Sequence, residues 1–377
     1  MKFRPYTFLP SVLLILLLAA CKNDVNLNAP YKEYPSIYAV LNPNEAVQMI
    51  RINKVFLGEG DANVMAKVAD SVNYDAGELS VTVTSAKINA STGAITSSKT
   101  TYFGEQMVQT APGAFATSQR VYTCSTSDID FSSSAYTLTV KNLKTGNVFT
   151  AKCKDLDPIR NPGWTPFCEP AYPVAATNAN KENPDVFVSF YNTADPKRRY
   201  FLRFYPNNAV VYQPILRFHF YDSLPGNVIN RFIDYPFGNL NIYQNLPSTD
   251  PGTKGTIGIE FRSDDVFNAL GVAIKKLGID NQVLGRRFVK LEAIMYSSTQ
   301  EYFDFLEFAK PSFNISQNKP LYSNFDKEAA IGIFTIRTTF SIEKEIAAPF
   351  VNSMATHPNL CGYKFYLYGT TTPATCP

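Results

Sequence analysis

Histidine is nearly absent from this chain: His219 and His357 are the only two among 377 residues. With no CxxC or CxxH pair anywhere, a zinc cage of the zinc-finger kind is excluded. A Ser-His-Asp hydrolase would have to recruit one of these two imidazoles, and no GxSxG elbow accompanies either. Charge of one sign is lacking as well. Lys and Arg number 35 against 32 Asp and Glu, a formal +3, which supplies no field for holding a polyanion and removes the electrostatic case for nucleic acid. Tryptophan occurs once, at Trp164. No apolar run reaches the roughly 18 to 20 residues that a spanning helix needs.

Phenylalanine and tyrosine are abundant instead, at 28 and 22, beside 25 prolines. Aromatic residues favour strands and proline favours turns, so the composition points to a mainly β fold. Residues 36–41, 47–57, 78–88, 94–103, 120–124, 135–142 and 147–153 carry strand patterns between turn signals. Seven strands in this space predict an immunoglobulin-like β-sandwich over 35–153. Val64, Val68 and Val72, four apart, predict a short helical crossover within it. Residues 154–172 gather Pro158, Pro162, Pro166 and Pro170 around Trp164 and read as a linker.

Beyond the linker, 173–377 is expected to form a larger antiparallel β domain with two short helices. Its strands are predicted at 186–192, 199–205, 215–222, 255–261, 286–297, 330–342 and 362–369. One helix would be capped by Ser263 and Asp264 and carry Val266, Leu270, Ile274 and Leu277 on its apolar stripe. The other would start with a capping box of Ser298 and Glu301 before Tyr302, Phe305 and Leu306.

Catalytic constellations are sparse. Gly58-Glu59-Gly60-Asp61 follows a strand, but its two acids would repel a pyrophosphate. In ILRFHFYD (215–222), alternation sets His219 with Arg217 and Tyr221, opposite Leu216, Phe218 and Phe220, as a half-exposed structural histidine. His357 falls in the polar stretch ATHPNL, read as a loop. Glu260, Asp264 and Asp265 are explained by a strand end and a helix N-terminus. Asp128 and Asp130 lack EF-hand spacing. The sequence assigns no catalytic residue, no metal ligand and no cofactor.

The first residues are of another kind. Lys2 and Arg4 precede the apolar run Val12 to Leu18, then Ala19, Ala20 and Cys21, the charged, apolar and small-residue layout of an export signal. Leu18-Ala19-Ala20-Cys21 resembles the lipobox of bacterial lipoproteins at every position. That match implies a signal peptide over 1–20, recognition by the signal peptidase through Leu18, Ala19 and Ala20, and acylation of Cys21 with palmitate-type chains. Each buried methylene contributes about 0.8 kcal/mol, so several chains hold a protein on a membrane permanently. Residues 21–34 then form a lipidated tether reaching roughly 40 Å when extended. In an oxidising compartment the remaining five cysteines would pair with one left over. The candidate disulfides are Cys361 with Cys376, and Cys153 with Cys168 or Cys124.

The lipobox, the segment YPSIYAVLNPNEAVQMIRINKVFLGEGDANVMAKVADSVNY (34–74) and the run SSTQEYFDFLEFAKPSFNISQNKPLYSNFDKEAAIGIF (297–334) resemble a family of Bacteroidota outer-membrane lipoproteins without an assigned chemistry. The resemblance covers most of the chain; related members often carry a glycine pair where this one has Glu328-Ala329-Ala330. Such proteins are commonly encoded near TonB-dependent receptors. The resemblance implies lipid anchoring at the outer membrane, facing the cell surface, with the periplasmic face as the alternative, because Asp24 is the one acid closely following Cys21. Asp70-Ser71-Val72 and Asp222-Ser223-Leu224 resemble the phylum's envelope O-glycosylation motif, which implies Ser71 and Ser223 as acceptors. The expected function is a non-enzymatic binding or scaffolding subunit beside an integral β-barrel, a TonB-dependent transporter or another envelope machine, with other envelope lipoproteins as further partners. Two alternatives stay open: a surface protein that captures glycans or another nutrient, and an unrecognised hydrolase.

Overall fold

Leu79, Val81 and Val83 are buried while Ser80, Thr82 and Thr84 between them face outward, and the same period of two recurs along most strands of the chain. The computed structural model describes residues 34–55, 64, 66–110, 118–157, 199–204, 206–241, 257–277, 282–310, 321–326 and 330–376, with backbone pairing also for 169–170 and 187–188. It is mainly β with a few short helices. Among the described residues no helix is long and apolar enough to cross a membrane. The expected signal peptide and tether, with Leu18, Ala19, Ala20 and Cys21, and the linker residues 158–168 with Trp164, lie outside the described residues.

The first seven strands are β1 (Tyr34–Leu41), β2 (Val47–Val55), β3 (Leu79–Ile88), β4 (Ile95–Gln109), β5 (Ser118–Ser125), β6 (Ala135–Asn142) and β7 (Val148–Lys154). They pair as β1-β2-β5-β4 and β4-β3-β6-β7, the ABED and CFG order of an immunoglobulin-like sandwich with the fourth strand shared. The switch is sharp: Phe103 still pairs with Val81 of β3, and the next residue, Gly104, pairs with Thr123 of β5. Ile37, Ile50, Ile52, Val81, Val83 and Leu138 fill the space between the layers at 2% exposure or less. A turn lock holds β1 to β2. The backbone N–H of Asn42 donates to Gln48 Oε1 at 2.7 Å, and Gln48 Nε2 returns a bond to Asn42 O at 2.7 Å. Of the three spaced valines only Val72, in α1 (Ala69–Val72), is buried, so the expected crossover helix shrinks to a single turn.

The second half contains β8 (Glu169–Pro170), β9 (Phe187–Val188), β10 (Arg199–Phe204), β11 (Val211–Leu224), β12 (Asn227–Pro236), β13 (Leu240–Asn241), β14 (Ile257–Arg262), α2 (Ser263–Lys276), β15 (Gly285–Ser298), α3 (Gln300–Ala309), β16 (Ile331–Ile346) and α4 (Ala348–Thr356). Strands β12-β11-β15-β16 form the main sheet. Its inner face buries Leu216, Phe218 and Phe220. A second sheet, β14-β10-β8, and helices α2 and α4 pack over that face. Phe204 meets Tyr212 at 5.1 Å, Phe237 meets Phe261 at 5.4 Å and Phe267 meets Phe350 at 5.7 Å between ring centroids.

Strand β16 joins the halves. Ile331 to Ile336 run parallel to β1, from Ser36 to Leu41, while Arg337 to Glu345 run antiparallel to β15. One hydrogen-bonded path therefore leads from β12 through β16 and β1 to β7. The junction requires glycine at 332. Its φ is +124°, and a Cβ there would lie 1.9 Å from the Ile37 carbonyl oxygen. Asn324 braces the same strand, donating from Nδ2 to Phe334 O at 2.7 Å and accepting the Phe334 N–H at 2.9 Å.

Several local expectations are corrected. The aromatic run 362–369 is not a strand: Cys361–Tyr363 form a 3-10 turn, Lys364 takes a left-handed φ of 62°, and only isolated bridges follow. Strand β12 and helix α4 were not anticipated. The N-cap of α2 is Arg262, with Ser263 fully buried in the first turn. At α3 the cap is Thr299, whose hydroxyl bonds Glu301, while Ser298 Oγ donates to Ile336 O at 2.7 Å.

Candidate functional site

Helix α3 covers the outer side of the junction, where Tyr302, Phe305 and Leu306 pack with Val40, Val211 and Ile333. Past that helix the outer face of β12-β11-β15-β16 carries ionisable and aromatic side chains with no covering layer among the described residues. Cross-strand register sets Asp234, Arg217, Glu292 and Glu343 in one row and Phe232, His219, Lys290 and Glu345 in the next. Arg217 binds Asp234 in bidentate fashion, Nε to Oδ1 at 2.7 Å and Nη2 to Oδ2 at 2.9 Å. Its guanidinium also lies 4.2 Å from the centroid of the Phe232 ring, and Phe232 is 54% exposed. The hydrogen bonds to Asp234 raise the Arg217 pKa further. His219 Nε2 sits 2.9 Å from Glu292 Oε2, and Lys290 Nζ 2.5 Å from Glu343 Oε1. At the α3 end, Arg337 stacks 4.6 Å from the Tyr296 ring centroid.

A hollow of about 370 Å³ opens where β15 begins, lined by Tyr221, Arg287, Val289, Tyr366, Leu367 and Tyr368 among others. Arg287 donates from Nη2 to Thr370 O at 2.5 Å and lies 5.7 Å from the Tyr366 ring centroid. Its Nε is buried with no hydrogen-bond partner among the described residues. Below it, Asp222 is buried between Arg286 (Nε to Oδ1, 2.8 Å) and Arg231 (Nε to Oδ2, 2.6 Å). A larger hollow, about 530 Å³, lies over β1 and β2 beside Tyr38, Arg51 and Lys54. Burial there pushes the Tyr38 hydroxyl pKa up.

The two histidines occupy different settings. His219 lies half-buried on the outer face, opposite Leu216, Phe218 and Phe220, with Nε2 committed to Glu292. His357 stands in the loop just after α4, as expected: Nδ1 accepts the Asn359 N–H at 3.3 Å and Nε2 faces Asp264 at 3.7 Å. Burial lowers the His357 pKa, and Asp264 opposes that shift. Glu260 stands in β14, paired with Arg199 at 3.0 Å, and Asp264 and Asp265 occupy the first turn of α2. Asp130 accepts the N–H of Ser132 at 3.0 Å and its hydroxyl at 2.6 Å, and these bonds hold its carboxyl below the usual range.

The cysteines divide. Cys361 and Cys376 form a disulfide, closing a loop with a sequence separation of 15. Cys153 is not paired: it is a free thiol, 4% exposed inside the sandwich core, where burial pushes its pKa up. Cys124 is also free, pushed up to about 11 by burial. A buried free cysteine acts as a small apolar side chain, and the expected alternative pairing of Cys153 with Cys124 is not made. Cys168 lies outside the described residues. Ser71 is half-buried within α1, and Ser223 ends the outer face of β11 beside buried Asp222.

Missed from sequence were Phe232, Asp234, Glu292, Glu343, Arg287, Tyr366 and Tyr368. Pro225-Gly226, with Gly226 at φ +72°, is the hairpin turn that would have disclosed β12 and with it Phe232 and Asp234. No protein-family model matches the chain, and no curated protein matches it.

Proposed function

We propose that this chain is a lipid-anchored, non-enzymatic binding subunit of the bacterial outer membrane, of the Bacteroidota lipoprotein kind, which presents its β halves to an integral β-barrel partner. The observation that carries the reading is the complete lipobox Leu18-Ala19-Ala20-Cys21 placed ahead of a tether that ends at Tyr34. Tyr34 begins β1, which pairs with β2 on one side and β16 on the other. Tension on the anchor would load a central strand in shear, distributed over two ladders, rather than peel an edge. This is a sound attachment for a protein held against a partner.

The test is isolation of the full chain from native membranes in mild detergent. A β-barrel membrane protein recovered in near-stoichiometric amount is expected, and loss of that partner with Cys21→Ala. Recovery of the chain alone would count against the reading.

A second reading, capture of a glycan or similar nutrient, is favoured by the hollow at Arg287. Tyr366 and Tyr368 offer aromatic faces, and Arg287 brings its guanidinium to the lining of the same hollow. It predicts saturable binding of acidic oligosaccharides that Arg287→Ala abolishes.

A further inference from the structure

Glu292 and Glu343 face each other directly across the β15–β16 ladder. Like charges at directly opposed positions destabilise a sheet, and Glu292 is only 14% exposed, so water screens it poorly. Diagonally across the β11–β15 ladder, His219 brings its imidazole to the same point, with Nε2 at 2.9 Å from Glu292 Oε2. One ligand atom from each of the three residues falls within 4.8 Å of the other two. An ion bound at roughly 2.0 to 2.2 Å from imidazole nitrogen and carboxylate oxygens needs donors about 3.4 Å apart in tetrahedral geometry. Side-chain rotation can bring this triangle onto a cation, because the three side chains rise from neighbouring hydrogen-bonded strands.

We propose that His219, Glu292 and Glu343 form a surface site for a borderline divalent transition-metal ion of the zinc type, its remaining position open to solvent. The donor set selects the metal. One imidazole and two carboxylates suit zinc, copper or cobalt, whereas calcium and magnesium require six or more oxygens. Two glutamates balance the charge of the ion, and the metal displaces any proton on Nε2 together with the Nε2–Glu292 hydrogen bond. Lys290, 2.5 Å from Glu343 Oε1, leaves the other carboxylate oxygen for the ion and orients the group from outside. Glu345, across the ladder from Lys290, is available to take over that ammonium.

The competing account is purely structural: two ion pairs, His219–Glu292 and Lys290–Glu343, with no ligand. Calorimetric titration of zinc into the metal-free full-length chain in detergent separates them. Saturable binding of one zinc per chain is expected, with cobalt giving a visible d–d spectrum and calcium giving no heat. Loss of a second-shell partner alone costs about 10- to 100-fold in metal affinity, so His219→Ala should weaken zinc by at least that much. Glu343→Gln, at an exposed position, should weaken it comparably while leaving the fold intact by circular dichroism. His357→Ala should leave it unchanged. Zinc should also raise the melting temperature of the unaltered chain but not of His219→Ala. No saturable zinc binding, or equal binding by the unaltered chain and His219→Ala, would overturn the proposal.

Discussion

On the outer face of β4, β3, β6 and β7 the cross-strand rows read Tyr102, Thr82, Thr139, Thr150 and then Thr100, Thr84, Thr137, Lys152. On the outer face of β12, β11, β15 and β16 they read Asp234, Arg217, Glu292, Glu343 and then Phe232, His219, Lys290, Glu345. Both faces obey the same alternation over buried inner faces. Threonine rows need only β propensity and local hydroxyl bonds, such as Thr84 to Thr100 at 3.0 Å. The second face holds ionisable groups partly out of water, and Arg217, His219, Lys290 and their acids persist through particular partners at particular registers. The first face is explained by folding alone, and the second is the one on which a site can be built.

The largest effect should come from the charge buried beneath the second face. Asp222→Ala leaves Arg286, 4% exposed, without its counter-charge, a loss of about 3 to 5 kcal/mol measurable by denaturant unfolding. An ordinary stability for this variant would mean that Arg286 finds water instead. Next, Gly332→Ala strikes the strand shared by both halves. Clash and backbone strain at φ +124° should cost about 2 to 4 kcal/mol, and hydrogen exchange should quicken in β1 and β16 together; quickening on one side only would show that the halves are independent. Opening the Cys361–Cys376 loop by double alanine substitution should cost about 3 kcal/mol and loosen the second half alone.

Smaller effects compare the faces directly. Arg217→Ala removes an ion pair and a ring contact, about 1 kcal/mol, against about 0.5 kcal/mol for Thr139→Ala; equal losses would erase the contrast. His357 supplies a pH-dependent term of definite sign. Its folded pKa is depressed by burial, so the unfolded chain takes up more protons, and stability falls as pH drops below the ordinary value of about 6.5. His357→Gln should flatten that part of the melting-temperature profile.

Much of the fold was legible because alternation is a local property. The strands at 135–142, 147–153 and 286–297 stand within a residue or so of their expected ends, and the succession of strand patterns sufficed for a mainly β fold. Register is not local. Nothing in the spacing of Arg217, His219, Glu292 and Glu343 shows that β11, β15 and β16 bring them together. The double pairing of β16 is equally hidden, since its residues look the same whether they neighbour β1 or β15. The run 362–369 misled because aromatic alternation resembles a strand even where a disulfide and a left-handed Lys364 hold the chain in turns.

The leading reading of function hangs from Cys21. The most direct measurement is the intact mass of the chain extracted from native membranes, with fragmentation from its N-terminus. A chain beginning at Cys21 and carrying a diacylglyceryl group with a further acyl chain is the predicted result. A chain retaining residues 1–20, or beginning elsewhere with Cys21 absent or unmodified, would contradict the account.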